Sequence, residues 1–198
     1  MERLNNRISI GLTEMLLGNT YDESRARDAK VCYSIETIID NIEKLLILIT
    51  LFGIMGKLKE CLICYVVILL TRTCMGGIHM STWHGCTIMT IVVHMCAIEC
   101  GIWIDIFFLR IWIFVIAMVL MMLVAPLPSP QRPKYKGKRR QKVRIRGCAG
   151  IVIAFGASYF LINFSNYILW VLLLEIIEVV CFVAYHAISQ MNNISYVE

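Results

Sequence analysis

The chain has 198 residues, of which 59% are hydrophobic, and a mean hydropathy of +0.72, more apolar surface than one soluble core of that length can hide. This excludes a soluble globular domain and identifies an integral membrane protein. The net charge of +5 is modest, and the nine cysteines, an odd number scattered mostly inside apolar runs, argue against a disulfide framework.

Met1 to Asn19 is broken up by Glu2, Arg3, Asn5, Asn6, Arg7 and Glu14 and does not read as a cleavable signal peptide. Leu4, Ile8, Leu12, Met15 and Leu16 recur at helical spacing opposite Arg3, Asn6, Arg7 and Thr13. This pattern predicts an amphipathic helix that lies on the membrane or covers the bundle. Asn19-Thr20-Tyr21-Asp22 breaks it, and Asp22 or Ser24 can cap a second helix running towards Ile42. Asp28, Lys30, Glu36, Asp40, Glu43 and Lys44 keep most of that helix in water, so residues 1–42 form an amphipathic, cytoplasmic N-terminal part.

Six apolar segments follow, at about 45–56, 61–75, 86–103, 104–124, 147–163 and 167–188. The first two are short against the roughly 20 residues that span a bilayer and borrow turns from their flanks. Glu99, Asp105 and Arg110 are too many charges for mid-bilayer, so the connection between the third and fourth segments should lie near the far surface. Asn163-Phe164-Ser165-Asn166 supplies the turn between the last two segments. The expected fold is an all-α, polytopic helical bundle of six transmembrane helices, residues 1–198 forming one domain.

Topology follows from residues 126–146, a basic loop holding all four prolines and nine of the 19 Lys and Arg, with no acid. By the positive-inside rule it is cytoplasmic. Counting back two spans puts the 72–86 stretch on the same side, and two more put the N-terminus there. The loop reads first as a topology determinant on anionic lipid, a reading compatible with docking of an acidic peptide. With no folded reader and few aromatics, it is not expected to bind nucleic acid.

The 72–86 stretch, R-T-C-M-G-G-I-H-M-S-T-W-H-G-C, is a polar, glycine-bearing interruption between apolar segments, with His79 and Cys86 seven residues apart. A Cys nucleophile needs a base or a cation beside it, and His is the usual one. In an unbroken helix the two would lie roughly 10.5 Å apart along the axis, too far for proton transfer. Gly76, Gly77, Ser81, Thr82 and Gly85 permit a break, after which a new helix starting near Gly85 would place Cys86 in its first turn. A structural role for an arbitrary His–Cys pair in so apolar a chain remains the bland alternative. So does a metal site built from His79, His84, Cys86, His94 and Cys96, whose spacing matches no common zinc pattern. Cys61-x-x-Cys64 opens an apolar segment without a second such pair, which favours packing over redox chemistry. Arg72 either pairs with Glu175 or Glu178, or holds a substrate carboxylate or orients the His79 loop.

Arg72, Gly76-Gly77, His79 and Cys86, together with Tyr33-Ser34-Ile35-Glu36 and Ala125-Pro126, resemble the signature of the AgrB family of membrane cysteine endopeptidases, which process AgrD-type precursors of quorum-sensing peptides. About a dozen residues carry the resemblance, and Ser34, Met75 and Met80 depart from the usual pattern. The resemblance implies a cell-membrane, multi-pass endopeptidase with Cys86 as nucleophile and His79 as base at the cytoplasmic face. It further implies a thioester acyl-enzyme leading to a cyclic thiolactone peptide, an AgrD-type peptide as partner besides lipid, and a homodimer. No cofactor and no metal are expected. Arg72, Gly76, Gly77, Ser81 and Glu36 are the supporting candidates, Ser81 and Glu36 as groups that could orient His79. The alternative from another class is a transporter or peptide-export subunit without chemistry.

Overall fold

Backbone polar groups carried into hydrocarbon must be satisfied within their own segment, which leaves helices as the solution for apolar runs of these lengths. The computed structural model describes residues 2–18, 26–76, 82–127 and 137–194, and among them every regular element is helical. In chain order these are α1 (Glu2–Leu17), α2 (Ala26–Ile54), α3 (Leu58–Met75), α4 (Trp83–Trp103), α5 (Arg110–Leu123), α6 (Gly137–Phe160) and α7 (Ser165–Ile194). They group into two compact units, Met1–Leu58 with Ser81–Thr90 and Lys59–Met80 with Ile91–Glu198.

In the first unit α1 packs along α2 through its polar edge. Asn5, Ser9 and Thr13, four residues apart, are buried, whereas Ile8, Leu12, Met15 and Leu16 are exposed. The Asn5 amide donates to both Asp40 Oδ1 and Glu43 Oε2 at 2.9 Å, and Ser9 Oγ lies 3.5 Å from Cys32 Sγ. Two carboxylates between helices need donors that an apolar stripe cannot supply, so the polar edge turns inward. The stripe therefore does not pack onto α2. On α2 itself Ile38, Ile42 and Leu46 are likewise exposed, an inside-out arrangement suited to lipid.

In the second unit α5, α6 and α7 pack against one another. Along α5 the buried positions Ile113, Ala117 and Met121 are spaced by four, while Ile111, Trp112, Val115 and Val119 face outward. Such a helix, apolar all round, belongs in a membrane. A row of small buried residues on α6, Gly147, Gly150, Ala154 and Ser158, lets backbones approach closely. A Cβ on Gly150 would come within 2.6 Å of the Leu70 carbonyl oxygen of α3.

The connection from α4 to α5 is held by side chains. Asn166 donates to the Gly101 and Ile104 carbonyls at 2.6 and 2.9 Å and accepts from the Ile106 N–H at 3.1 Å, while Trp170 Nε1 also donates to Ile104 O at 2.9 Å. This clamp keeps residues 104–106 out of helix, so the fourth apolar segment becomes helical only from Phe107, first as a 3₁₀ turn to Leu109 and then as α5, and not at Ile104 as its composition predicts. Asn166, expected within a turn, sits in the first turn of α7. The Arg110 guanidinium lies 3.8 and 3.6 Å from the ring centroids of Phe107 and Tyr159, a contact of about 0.5–2 kcal/mol.

The six apolar segments fall largely in helices, residues 104–106 of the fourth being the main exception. Trp83–Trp103, Gly137–Phe160 and Ile162–Tyr185 are long and apolar enough to cross a membrane, with Phe107–Leu123 a shorter apolar stretch. Helices α2 and α3 carry the charges of Asp40, Glu43 and Lys44, and of Lys59, Glu60 and Arg72, within their apolar reach. Helix α6 starts ten residues before the expected segment, so Lys138 to Arg146 are helical. Arg144 donates to the Ala125 and Leu123 carbonyls at 2.7 and 3.0 Å, closing the C-terminal end of α5.

Replacing Gly150 by Ala should lower the thermal midpoint in detergent, corresponding to about 1–3 kcal/mol, because the Leu70 carbonyl cannot move aside. Gly156→Ala on the same helix, with nothing within 4 Å of the added carbon, should leave it unchanged or slightly raised.

Candidate functional site

Helix α3 stops at Gly76, whose φ of +84° suits glycine alone. The Gly76 N–H donates to Arg72 O and the Leu127 N–H donates to Met75 O, both at 2.9 Å. A Cβ at Gly76 would lie 3.1 Å from Leu127 Cβ. The Ala125-Pro126-Leu127 segment is thus packed on the end of the helix that opens the motif. Gly77, His79 and Ser81 lie outside the described residues.

Helix α4 starts at Trp83, slightly earlier than Gly85, because Thr82 caps it: Thr82 Oγ1 accepts from the Gly85 N–H at 3.2 Å. The Cys86 N–H donates to Thr82 O at 3.1 Å, which places Cys86 in the first turn. Its thiol is half-buried and accepts a hydrogen bond from Lys44 Nζ at 3.5 Å. Lys44 comes from α2, 42 residues away in sequence, and is itself half-buried. An ammonium and a helix N-terminus therefore both put positive charge beside one sulfur.

Glu36 lies on α2 eight residues before Lys44, hence on the same helical face about 12 Å along the axis. Asp40, between them on that face, is one of the two carboxylates held by Asn5. The seam between α1 and α2 and the Cys86 thiol thus share one line of polar side chains. Lys44 is the residue that sequence reasoning passed over, counted there only as a charge keeping α2 in water. A signal existed: Lys44 is the last cation before the first apolar segment and Cys86 opens the third, so the expected topology puts both at one membrane face.

In the other unit Arg72 Nη2 pairs with Glu178 Oε1 at 2.9 Å, the side chains being 21% and 9% exposed. Of the two expected acids, Glu178 is the ion-pair partner. Glu175, buried on the same helix three residues earlier, is the second carboxyl of that region. His94 is fully buried with its ring 6.2 Å from that of Tyr65, and His84 makes an edge contact of 5.0 Å with Trp83. Among the described residues no group of three or more His, Cys, Asp or Glu side chains is arranged to hold a metal ion. All nine cysteines are free thiols, with Cys61, Cys64, Cys74 and Cys148 buried.

A family model described as Accessory gene regulator B matches residues 10–179 of the chain. No curated protein and no solved structure matches it.

Truncating one partner of a largely buried ion pair leaves the other charge stranded. Arg72→Ala should therefore cost about 3 kcal/mol in detergent stability, read as a lowered midpoint, and Glu178→Ala a similar amount. If the two act through their pairing, the double replacement should cost less than the sum of the two single ones.

Proposed function

The chain belongs to the AgrB family of accessory gene regulator proteins, and from that premise we propose that it is a membrane-embedded cysteine endopeptidase acting on a quorum-sensing precursor peptide. Family membership itself carries the general role, processing of a peptide autoinducer precursor at a membrane. The finer reading rests on Cys86, placed in the first turn of α4 with its sulfur facing the Lys44 ammonium.

Cys86 Sγ attacks the scissile carbonyl, and His79 takes the thiol proton and gives it to the departing amine as the C–N bond breaks. The product is a thioester on Cys86 and a released C-terminal fragment. An internal Cys of the bound peptide then attacks the thioester carbonyl. Its sulfur replaces Sγ, its proton returns to Cys86, and a thiolactone ring leaves. One thioester is exchanged for another at nearly even energy, so the site must keep water from the intermediate. A position at the cytoplasmic membrane face supplies that exclusion, and the basic residues of 126–146 on the same face can hold an acidic segment of the peptide. The protein works as a homodimer in this reading.

A peptide-export subunit without chemistry is the rival, and the Arg72–Glu178 ion pair with the buried carboxyl of Glu175 favours it. Cleavage separates the two. In membranes co-expressing the precursor, Cys86→Ala and Cys86→Ser should lower the cleavage rate by about 10⁴-fold or more, with insertion unchanged. Cys61→Ala and Cys64→Ala should retain cleavage at some loss of stability from their buried positions. Retained cleavage in Cys86→Ala would remove the peptidase reading and leave export in front.

A further inference from the structure

A lysine at the start of an apolar helical run ordinarily extends to the lipid headgroups. Lys44 does not: the residue is half-buried and its ammonium donates to Cys86 Sγ at 3.5 Å, while the outward positions of α2 nearby are taken by Ile42 and Leu46. Lys44 shares a face of α2 with Asp40, which is held against α1 by Asn5 at 2.9 Å. That face is thus fixed by packing, and the ammonium is aimed before any substrate arrives.

We propose that Lys44 is a catalytic residue of this site, holding the Cys86 thiolate and then the oxyanion that forms on the carbon bonded to it. The proposal rests on Cys86 being the nucleophile. As the Sγ–C bond forms, the carbonyl π pair moves to oxygen, and the negative charge moves from the sulfur to an atom one bond beyond the attacked carbon. A donor already touching Sγ reaches that oxygen, at about 2.7–3.1 Å, by a small turn of the flexible lysine stem. Lys44 keeps its protons throughout. The proton from the thiol and the one given to the leaving amine remain the task of His79. When the tetrahedral intermediate collapses, the oxygen lone pair re-forms the carbonyl, the C–N bond breaks, and the ammonium is left beside a neutral thioester. The same cation then meets the second oxyanion, formed when the peptide thiol attacks. One residue would thus serve both halves of the transfer, a task an imidazole occupied with proton transfer cannot share.

The test uses the full-length protein in membranes with Lys44→Met, Lys44→Gln and Lys44→Arg, and two readouts. The first is cleavage of the precursor. Loss of one oxyanion donor should lower the turnover rate of Lys44→Met and Lys44→Gln by about 10²–10³-fold with KM little changed, and Lys44→Arg should recover part of it. The second needs no substrate: the ratio of alkylation rates of Cys86 by anionic iodoacetate and by neutral iodoacetamide, followed by peptide mass spectrometry. A cation at Sγ raises that ratio, so it should fall several-fold in Lys44→Met and be kept in Lys44→Arg. A merely structural lysine would alter protein yield and leave the ratio alone. Wild-type turnover with an unchanged ratio in Lys44→Met would overturn the proposal while leaving Cys86 as nucleophile. Failure of the parent reading is seen separately, as cleavage that survives Cys86→Ala.

Discussion

A polar group taken away from water without a partner costs several kcal/mol, and the placement of nearly every notable side chain here follows from that. Asn5 is the donor for Asp40 and Glu43 and so fixes which edge of α1 meets α2. Asn166 and Trp170 satisfy the carbonyls at the end of α4 and thereby stop the next helix from starting. Arg110 lies against two aromatic rings, Arg144 closes the end of α5, and Arg72 meets Glu178. Apolar surface is so plentiful in this chain that it cannot specify an arrangement by itself. Polar pairing supplies the specificity.

The same constraint brings a lysine to a thiol at one point. A lysine on a half-buried helical face must meet an acceptor, and the acceptor is a thiol at the start of another helix. Thr82 sets that start by capping Gly85, so the choice of capping residue decides which turn holds Cys86. Gly76 sets the other boundary of the motif, ending α3 with a backbone angle that other residues rarely adopt and with Leu127 packed against it. Hydrogen bonds that end and begin helices therefore do two tasks here: they close off backbone groups, and they put the Cys86 sulfur beside a cation.

The helices were legible in the sequence wherever composition alone decides. The run before Gly56 and the uncharged stretch after Gly147 could be nothing but helical segments, and the amphipathic period of α1 was plain. What was not legible depended on partners distant in sequence. Nothing in Leu4 to Leu16 says that the polar edge packs inward, because that requires Asp40 and Glu43 to be opposite. The delayed start of α5 needs Asn166, some sixty residues later. At the site, Cys86 and the glycine break stood out through residue type and spacing, and the ion-pair partner of Arg72 was one of two named acids. Lys44 was hidden by its ordinary setting: a cation at the edge of an apolar run looks the same whether it faces headgroups or a sulfur. Glu36, singled out through its motif, lies on the same face of α2 as Lys44.

The central claim, that Cys86 carries the peptide as a thioester, is tested most directly by trapping that species. The protein is incubated with a synthetic precursor whose internal Cys is replaced by Ser, so that ring closure is slow, and its intact mass is measured. The account predicts a mass gain equal to the peptide less its C-terminal fragment, released by hydroxylamine and mapped to Cys86. An adduct on another residue, or cleavage of the peptide with no adduct at any time point, would contradict it.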